Sequence, residues 1–241
     1  DNERGGLRGA KKIGELMQCA AQRDAADSSV VIITLPNGEK VSSDSPNIDD
    51  VLSAALGRSV TLESLPVDNA VEHFRRGSAD SDDVMLELRN IFGREEDEPL
   101  PDFSVFPPEV ATLESPIGTH HDCWPLLVMT TSALRALEEA LPESVIDELR
   151  FRPSVVIDTP DATGHVEFQW KGRQARLGSA IIEFLDPCPR CIMITRRIND
   201  AIPEDRSILR HVVRDLNQNV GMYARVVTDG IISVDDELVF V

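Results

Sequence analysis

Lysine is scarce in this 241-residue sequence, which has 4 lysines against 20 arginines. None of the four lysines stands in a setting that suggests a Schiff-base nucleophile. No apolar run approaches the roughly 18 residues that a membrane-spanning helix needs. The net charge of −18 disfavours nonspecific binding to nucleic acid or to acidic membranes. We therefore expect an acidic globular protein that binds neither nucleic acid nor membrane.

Cysteine is also rare, and the chain has four: Cys19, Cys123, Cys188 and Cys191. This number in a chain of this length is not typical of a small secreted domain held together by disulfides. No secretory signal is recognisable, so we expect a reducing, cytoplasmic location. The first residue is Asp1 and not Met, and the natural start is therefore expected to lie upstream.

The charge is unevenly distributed along the chain. Residues 150–225 contain 12 basic and 9 acidic residues, whereas the remainder contains 12 basic and 33 acidic residues. This part of the chain, which includes Cys188 and Cys191, is thus expected to be electropositive on an otherwise acidic protein. Chance clustering of charges on solvated faces is the alternative explanation.

The pattern of apolar residues and turn signals predicts a β-rich α+β protein. Short β-branched runs predict strands at 30–35, 39–43, 59–65, 126–129, 155–158, 165–170, 174–177, 180–185, 192–196, 221–228, 231–234 and 237–241. Helical spacing predicts helices at 11–22, 48–56, 132–141 with an extension at 145–149, and 204–218. Because strands and helices do not alternate regularly, we expect a barrel-like arrangement of strands and not a parallel βαβ sheet.

An acidic segment interrupts this pattern at residues 75–98. Aspartates and glutamates crowd there around a weak apolar patch, and Pro99 and Pro101 follow. This composition predicts a surface excursion or a partly mobile connection. A solvated loop is a better interpretation of the acidic run than a metal site.

The pentapeptide Pro187-Cys188-Pro189-Arg190-Cys191 is the most informative stretch of the chain. It has four interpretations: a structural zinc site, a thioredoxin-like redox pair, two small buried thiols, or a thiolate that binds a soft metal or carries sulfur. A zinc site usually needs further ligands, which His120, His121 and Cys123 could supply. His120 and His121 are adjacent, however, and an extended segment would point their side chains to opposite faces. A thioredoxin-like pair normally opens a helix, whereas strand-like residues follow here. The cysteine spacing alone does not decide among the four.

Several segments around this pentapeptide occur together in a recognisable order. They are His-Asp-Cys-Trp-Pro at 121–125, Val-Met-Thr-Thr-Ser-Ala-Leu at 128–134, Arg-Phe-Arg-Pro-Ser-Val-Val at 150–156, Pro-Cys-Pro-Arg-Cys-Ile-Met-Ile-Thr at 187–195, and two closing runs at 219–225 and 230–236. The set resembles the MOSC family, the C-terminal domain type of molybdenum-cofactor sulfurases, which is also found in mitochondrial amidoxime-reducing proteins. The resemblance covers residues 119–241 well and residues before 64 more weakly.

The resemblance implies a domain organisation for the chain. A MOSC-type β-barrel with peripheral helices is expected at 119–241. A partial N-terminal β-barrel-like domain is expected at 1–75, and residues 76–118 would be an acidic, proline-rich connection. Truncation of that first domain would remove strands that supply further cofactor contacts in relatives.

The resemblance also implies roles for particular residues. Cys191 stands where family members place the thiolate ligand of molybdenum, and Cys188 would be a supporting or resolving thiol, or a structural one. Arg152 is the first candidate for the phosphate of the pterin, because a guanidinium binds phosphate through two donors. The full set of cofactor-binding candidates is Arg152, Arg150, Arg190, Thr130, Thr131, Ser132, Asp122 and Ser154. Ser154 replaces the asparagine that is usual after the Arg-Phe-Arg-Pro element, so one amide contact is lost or replaced.

The leading hypothesis from this resemblance is a protein that binds a molybdenum–pterin cofactor and reduces N-oxygenated small molecules. Electrons would come from a separate donor protein, since no flavin, haem or iron–sulfur motif is present. The alternative is a sulfur carrier that accepts sulfane sulfur from a cysteine desulfurase and passes it to a metal cofactor. Pyridoxal phosphate is expected only in that desulfurase partner and not in this chain. A degenerate binding module without cofactor affinity is a third possibility.

Overall fold

The computed structural model describes all 241 residues, from Asp1 to Val241, and divides into two units. The first unit comprises residues 1–100, 108–120 and 196–204. The second comprises residues 101–107, 121–195 and 205–241. None of the helices is long and apolar enough to cross a membrane. The predicted domain boundaries after residues 75 and 118 stay predictions.

The first unit contains a three-stranded antiparallel sheet in the order β1-β2-β3 and three α-helices. The strands are β1 (Ala20–Arg23), β2 (Val31–Thr34) and β3 (Lys40–Ser42), and the helices are α1 (Ile48–Leu56), α2 (Val71–Phe74) and α3 (Val84–Phe92). The β2–β3 hairpin and α1 confirm the sequence prediction. Helix α1 ends at Gly57, whose left-handed φ of 62° costs a glycine little.

Two predictions for the first unit are wrong. The helix predicted at 11–22 is only a 3₁₀ helix, Gly14–Gln18, and the chain continues directly into β1. The segment 59–65 forms no strand, and its apolar residues Leu62 and Leu65 are 40% and 43% exposed. Because these side chains gain little from burial, the β-branched pattern alone does not pair this segment with a neighbour.

The acidic segment at 75–98 is also more ordered than the composition predicts, since it contains α3. The carboxylate of Asp83 accepts hydrogen bonds from the backbone N–H groups of Met85 and Leu86, and Gly93 ends the helix at a φ of 62°. The side chain of Arg89 donates to the carbonyls of Glu95 and Glu98. The cap by Asp83, the terminal Gly93 and the hydrogen bonds of Arg89 together stabilise α3 despite the high charge density of the segment.

The second unit has mixed α and β structure. Its strands are β4 (Leu126–Thr130), β5 (Val155–Ile157), β6 (Gln174–Leu177), β7 (Ala180–Pro189), β8 (Asn219–Thr228) and β9 (Leu238–Phe240), and its helices are α4 (Thr131–Ala140), α5 (Glu148–Phe151) and α6 (Arg206–Asp215). The six strands form one curled sheet in the order β5-β4-β8-β7-β6-β9. Only the β4–β5 pair is parallel. This arrangement confirms the predicted β-rich α+β class, with the sheet curled into a half-barrel.

Two apolar clusters stabilise the second unit. One joins α6 to the strands and to Phe151 and Ile194, and its α6 members are Ile208, Leu209, Val212 and Val213. The four α6 side chains follow helical spacing, which explains why the sequence predicts this helix clearly. The other cluster packs Trp170 and Phe184 between the strands, with their ring centroids 5.0 Å apart. The first cluster buries the residues next to the cysteine motif, and so it positions that motif.

Several predicted elements of the second unit need correction. The segments at 165–170 and 192–196 are 3₁₀ helices (Val166–Trp170 and Ile192–Thr195) and not strands. In the first of these, Glu167 and Trp170 are buried three residues apart, which is the period of a 3₁₀ turn. The segment 231–234 forms no strand, because Ile231 and Val234 are 78% and 92% exposed. The extension predicted at 145–149 is replaced by α5.

Candidate functional site

The cysteine motif lies where strand β7 loses its regular pairing with β8. The register of the two strands shifts on either side of Pro187, which pairs with Met222. Pro187 and Pro189 have no N–H to donate to the ladder, so the strand becomes irregular at this point. The strand nevertheless continues to Pro189, and only Arg190 and Cys191 lie between it and the 3₁₀ helix Ile192–Thr195. Only the last two residues of the pentapeptide thus lie outside the strand.

The chain that follows Cys191 is helical, contrary to the strand predicted there. The hydroxyl of Thr195 donates to the carbonyl of Ile192 at 2.8 Å, and Ile194 is fully buried in the first apolar cluster. A strand that carries Cys188 near its end, followed by Cys191 and a short helical turn, is closer to a redox dithiol than the sequence indicates. The argument from strand-like residues against a dithiol therefore no longer holds.

Cys188 is a buried thiol in a polar network. It is 5% exposed, and Nη1 of Arg190 donates to its Sγ at 3.2 Å. The hydroxyl of Tyr223 is also hydrogen-bonded to it. Burial raises the pKa of Cys188, and this effect exceeds the opposing effects of Arg190 and Tyr223. Cys188 is therefore a protonated thiol at neutral pH.

Arg190 connects the cysteine motif to the Arg-Phe-Arg-Pro motif. Its Nη2 donates to the carbonyl oxygen of Phe151 at 2.7 Å, and its guanidinium lies 5.6 Å from the centre of the Phe151 ring. Burial lowers the pKa of Arg190, but Cys188, Cys191 and Tyr223 outweigh this effect and raise it. The guanidinium is thus a buried positive charge between two segments that are about forty residues apart in sequence.

Cys191 differs from Cys188 in its exposure. It is partly exposed, and its thiol is close enough to interact electrostatically with the guanidinium of Arg190. Access to solvent lets a ligand approach this thiol. Of the two cysteines of the motif, Cys191 is therefore the one that a ligand can reach.

Tyr223 and Cys123 belong to the same network, although Tyr223 was not a predicted site residue and Cys123 was considered only as a further zinc ligand. Tyr223 is 7% exposed, and its hydroxyl contacts the thiols of both Cys188 and Cys123. Burial, and then the charges of Cys188, Cys123 and Asp122, raise the pKa of Tyr223 well above its ordinary value of 10.0. Its place in one of the closing runs of the MOSC resemblance was the only signal for it.

The two arginines of the Arg-Phe-Arg-Pro motif have different environments. Arg150 is fully buried, and its guanidinium donates to the carbonyls of Val145 at 2.8 Å and Ile194 at 3.4 Å. These bonds favour a structural role over the predicted phosphate contact. Arg152 is exposed and has no ion-pair partner, and its φ of 55° lies in the left-handed region. Of the two, only Arg152 presents its guanidinium to solvent, where an anion can reach it.

The hydroxyls at the start of α4 are used within the chain. The N-cap of this helix is Thr130: its Oγ1 accepts from the N–H of Ala133 and donates to Oε2 of the buried Glu167 at 2.7 Å. Oγ1 of Thr131 donates to Asp158 at 2.9 Å. The backbone N–H of Ser132 donates to Oγ1 of Thr159. Few donors at this helix start therefore remain for a phosphate.

Ser154 and Asp122 complete the predicted set. Oγ of Ser154 accepts from the backbone N–H of Leu127, and the N–H of Ser154 donates to the carbonyl of Leu127 at 2.8 Å. Ser154 thus extends the pairing of β4 and β5, which is a structural use of the side chain. Asp122 is exposed and lies near enough to Tyr223 to influence its pKa. The structure therefore brings Cys188, Arg190 and Asp122 together around Tyr223, and Cys191 lies near Cys188 and Arg190.

Comparison with known proteins identifies a family that matches this chain. The MOSC domain family matches residues 118–239, about half of the chain. Two solved structures are similar: a hypothetical protein, at 16% identity over 48% of this chain and a TM-score of 0.38, and YiiM from Geobacillus stearothermophilus, at 18% identity over 49% and a TM-score of 0.35. The match spans 51% and 54% of those two chains. No curated protein gives a significant match.

Proposed function

The chain belongs to the MOSC domain family, and on that premise we propose that it binds a molybdenum–pterin cofactor through Cys191. We propose further that it reduces N-oxygenated small molecules with electrons from a separate donor protein. When bound, the cofactor would supply two-electron oxygen-atom chemistry. The residues of the chain would bind it, orient it and hold the charges around it.

One observation carries this proposal, namely the bridge that Arg190 makes between Cys188 and Phe151. The bridge holds Cys191 and Arg152 close together, because Cys191 directly follows Arg190 in the chain and Arg152 directly follows Phe151. A partly exposed thiol and an exposed guanidinium in one neighbourhood suit a ligand with a soft metal at one end and a phosphate at the other.

The donor set fits the cofactor in part. Cys191 would supply the thiolate, and the buried charge of Arg190 would stabilise it. Arg152 would bind the phosphate, and Asp122 would accept hydrogen bonds from the pterin. Thr130, Thr131, Ser132 and Ser154 would act indirectly, since their side chains already hold α4 and β5 in place.

Metal analysis with matched cysteine variants tests the proposal. The full chain, produced in a host that makes molybdenum cofactor, should contain molybdenum, and Cys191→Ser should lose it. Cys188→Ser removes the neighbouring thiol without removing the exposed one, and should retain molybdenum. Absence of molybdenum from the unsubstituted protein, or equal loss in both variants, would contradict the assignment of Cys191 as the ligand.

A sulfur-carrier function is the second candidate, and the exposure of Cys191 favours it. In that reaction the Cys191 thiolate attacks the terminal sulfur of a donor persulfide, the donor S–S bond breaks, and the donor leaves as a thiolate. After incubation with a cysteine desulfurase and cysteine, mass spectrometry should show an adduct of about 32 Da, one sulfur atom, on Cys191. An adduct on the Cys191→Ser variant, or none on the unsubstituted protein, would count against this function.

A further inference from the structure

Two histidines of the first unit form a close pair. His73, in α2, and His120 have their Nε2 atoms 2.9 Å apart. Their rings are stacked with centroids 5.2 Å apart. The other nitrogen of His73, Nδ1, lies 3.0 Å from a carboxylate oxygen of Glu63. The three side chains belong to separate stretches of the chain that the fold brings together.

The contact with Glu63 determines which ring nitrogen of His73 carries the proton. A carboxylate only accepts hydrogen bonds, so Nδ1 of His73 carries the proton. In the neutral imidazole the lone pair is then on Nε2, the atom that lies 2.9 Å from Nε2 of His120. Proteins use this carboxylate–imidazole contact to orient histidines that bind metal ions. The side chain of His73 is only 8% exposed, which restricts its orientation further.

We propose that His73 and His120 form an open binding site for a divalent transition-metal ion, with Glu63 as the orienting carboxylate. An ion about 2.1 Å from each Nε2 would make an N–metal–N angle of roughly 90° at the 2.9 Å separation. This angle suits the neighbouring positions of tetragonal Ni²⁺ or Cu²⁺ better than tetrahedral Zn²⁺. The net charge of −18 attracts a cation to the protein surface.

The site would have two protein ligands. No group of three or more His, Cys, Asp or Glu side chains surrounds one point in the structure, so water or an external ligand would complete the coordination. His120 is exposed, which gives the ion access from solvent. A site of this kind suits reversible binding of a metal ion, or of a metal-bound small molecule, more than permanent structural metal.

Calorimetric titration with Ni²⁺ tests the proposal. It is made on the full chain carrying Cys188→Ser and Cys191→Ser, so that thiolates do not compete for the ion. We expect one Ni²⁺ bound per chain. The affinity should fall at least about 10-fold in His73→Ala and in His120→Ala. It should fall about 10-fold in Glu63→Gln, as for other carboxylates that orient a metal-binding histidine. His211→Ala is the matched control, because His211 also contacts a carboxylate, Asp215 at 2.8 Å, but no second imidazole.

The outcomes separate a metal site from a hydrogen-bonded pair of rings. Absence of Ni²⁺ binding, or equal binding with and without His120→Ala in the chain that carries the two Cys→Ser substitutions, would overturn the proposal. His120 is exposed, so its substitution tests the site even where that of His73 unfolds the protein. Paramagnetic broadening of the imidazole resonances by Ni²⁺ gives an independent readout: broadening at His73 and His120 supports the site, and broadening elsewhere alone rejects it.

Discussion

The guanidinium of Arg190 donates to the thiol of Cys188 across 3.2 Å, and both groups are buried. This contact gives the two cysteines of the motif different environments. Cys188 is held as a thiol in the interior, and the next cysteine along the chain is left at the surface with a positive charge nearby. The cysteine motif is therefore organised by Arg190, a residue that the sequence predicts only as a candidate for cofactor binding.

Substitution of Arg190 should show this organising role. Arg190→Met keeps the length of the side chain but leaves the carbonyl of Phe151 and the thiol of Cys188 without their donor. We expect the free energy of unfolding in urea to fall by about 2–5 kcal/mol, as for other broken buried networks. Arg152→Met, the same substitution at an exposed arginine, should change the free energy of unfolding by at most about 0.5 kcal/mol. Equal effects would mean that the bridge contributes no stability.

Arg152 allows stability and ligand binding to be separated. Its left-handed φ of 55° is costly for a residue with a Cβ, so Arg152→Gly should stabilise the fold by about 1 kcal/mol. If Arg152 binds the cofactor phosphate, the same variant should lose cofactor, measured as molybdenum per chain. Asp235→Gly is the control, because Asp235 is also left-handed, at a φ of 73°, and exposed. It should gain stability and keep the cofactor.

Thr130 and Glu167 should be energetically coupled. Thr130→Val removes the cap of α4 and the donor to a fully buried carboxylate, and we expect a loss of about 3–5 kcal/mol. Thr131→Val, one residue along, should cost less, about 1 kcal/mol, because its partners are the exposed Asp158 and the partly exposed Thr159. In a double-mutant cycle, adding Glu167→Gln to Thr130→Val should cost less than Glu167→Gln alone. Additive effects would contradict a direct coupling.

Elements with a local chemical signal were predictable from the sequence. Helix α1 ends at Gly57 and α6 begins after Asp205, whose carboxylate accepts from the N–H of Ser207, and both were predicted to within two residues. Glycine and aspartate at these places favour one backbone geometry whatever the rest of the fold does. The α+β class followed from the same local signals.

Interactions between distant segments were not predictable. The bridge from Arg190 to Phe151 and the packing of Tyr223 against Cys188 depend on the pairing of β7 with β8, which one sequence does not display. Strand-like composition also misled at 192–196, because the burial of Ile194 is satisfied equally by a 3₁₀ turn. The sequence thus identified the cysteine motif, while the fold was needed to assign each cysteine an environment.

Tyr223 should make the stability of the protein depend on pH in the alkaline range. Its pKa in the fold is raised well above 10.0, so the unfolded chain loses this proton first as the pH rises. The stabilisation is therefore complete below about pH 10 and is lost above it, by up to about 1.4 kcal/mol per pH unit. Tyr223→Phe should make this decline in stability shallower. The decline that remains begins near pH 9 and comes from the raised pKa of Cys188.

Because Tyr223 is the single tyrosine of the chain, near-ultraviolet absorbance reports its ionisation directly. Phenolate formation at the ordinary pKa in the folded protein, or an unchanged slope in Tyr223→Phe, would show that the hydroxyl is not held in the buried network.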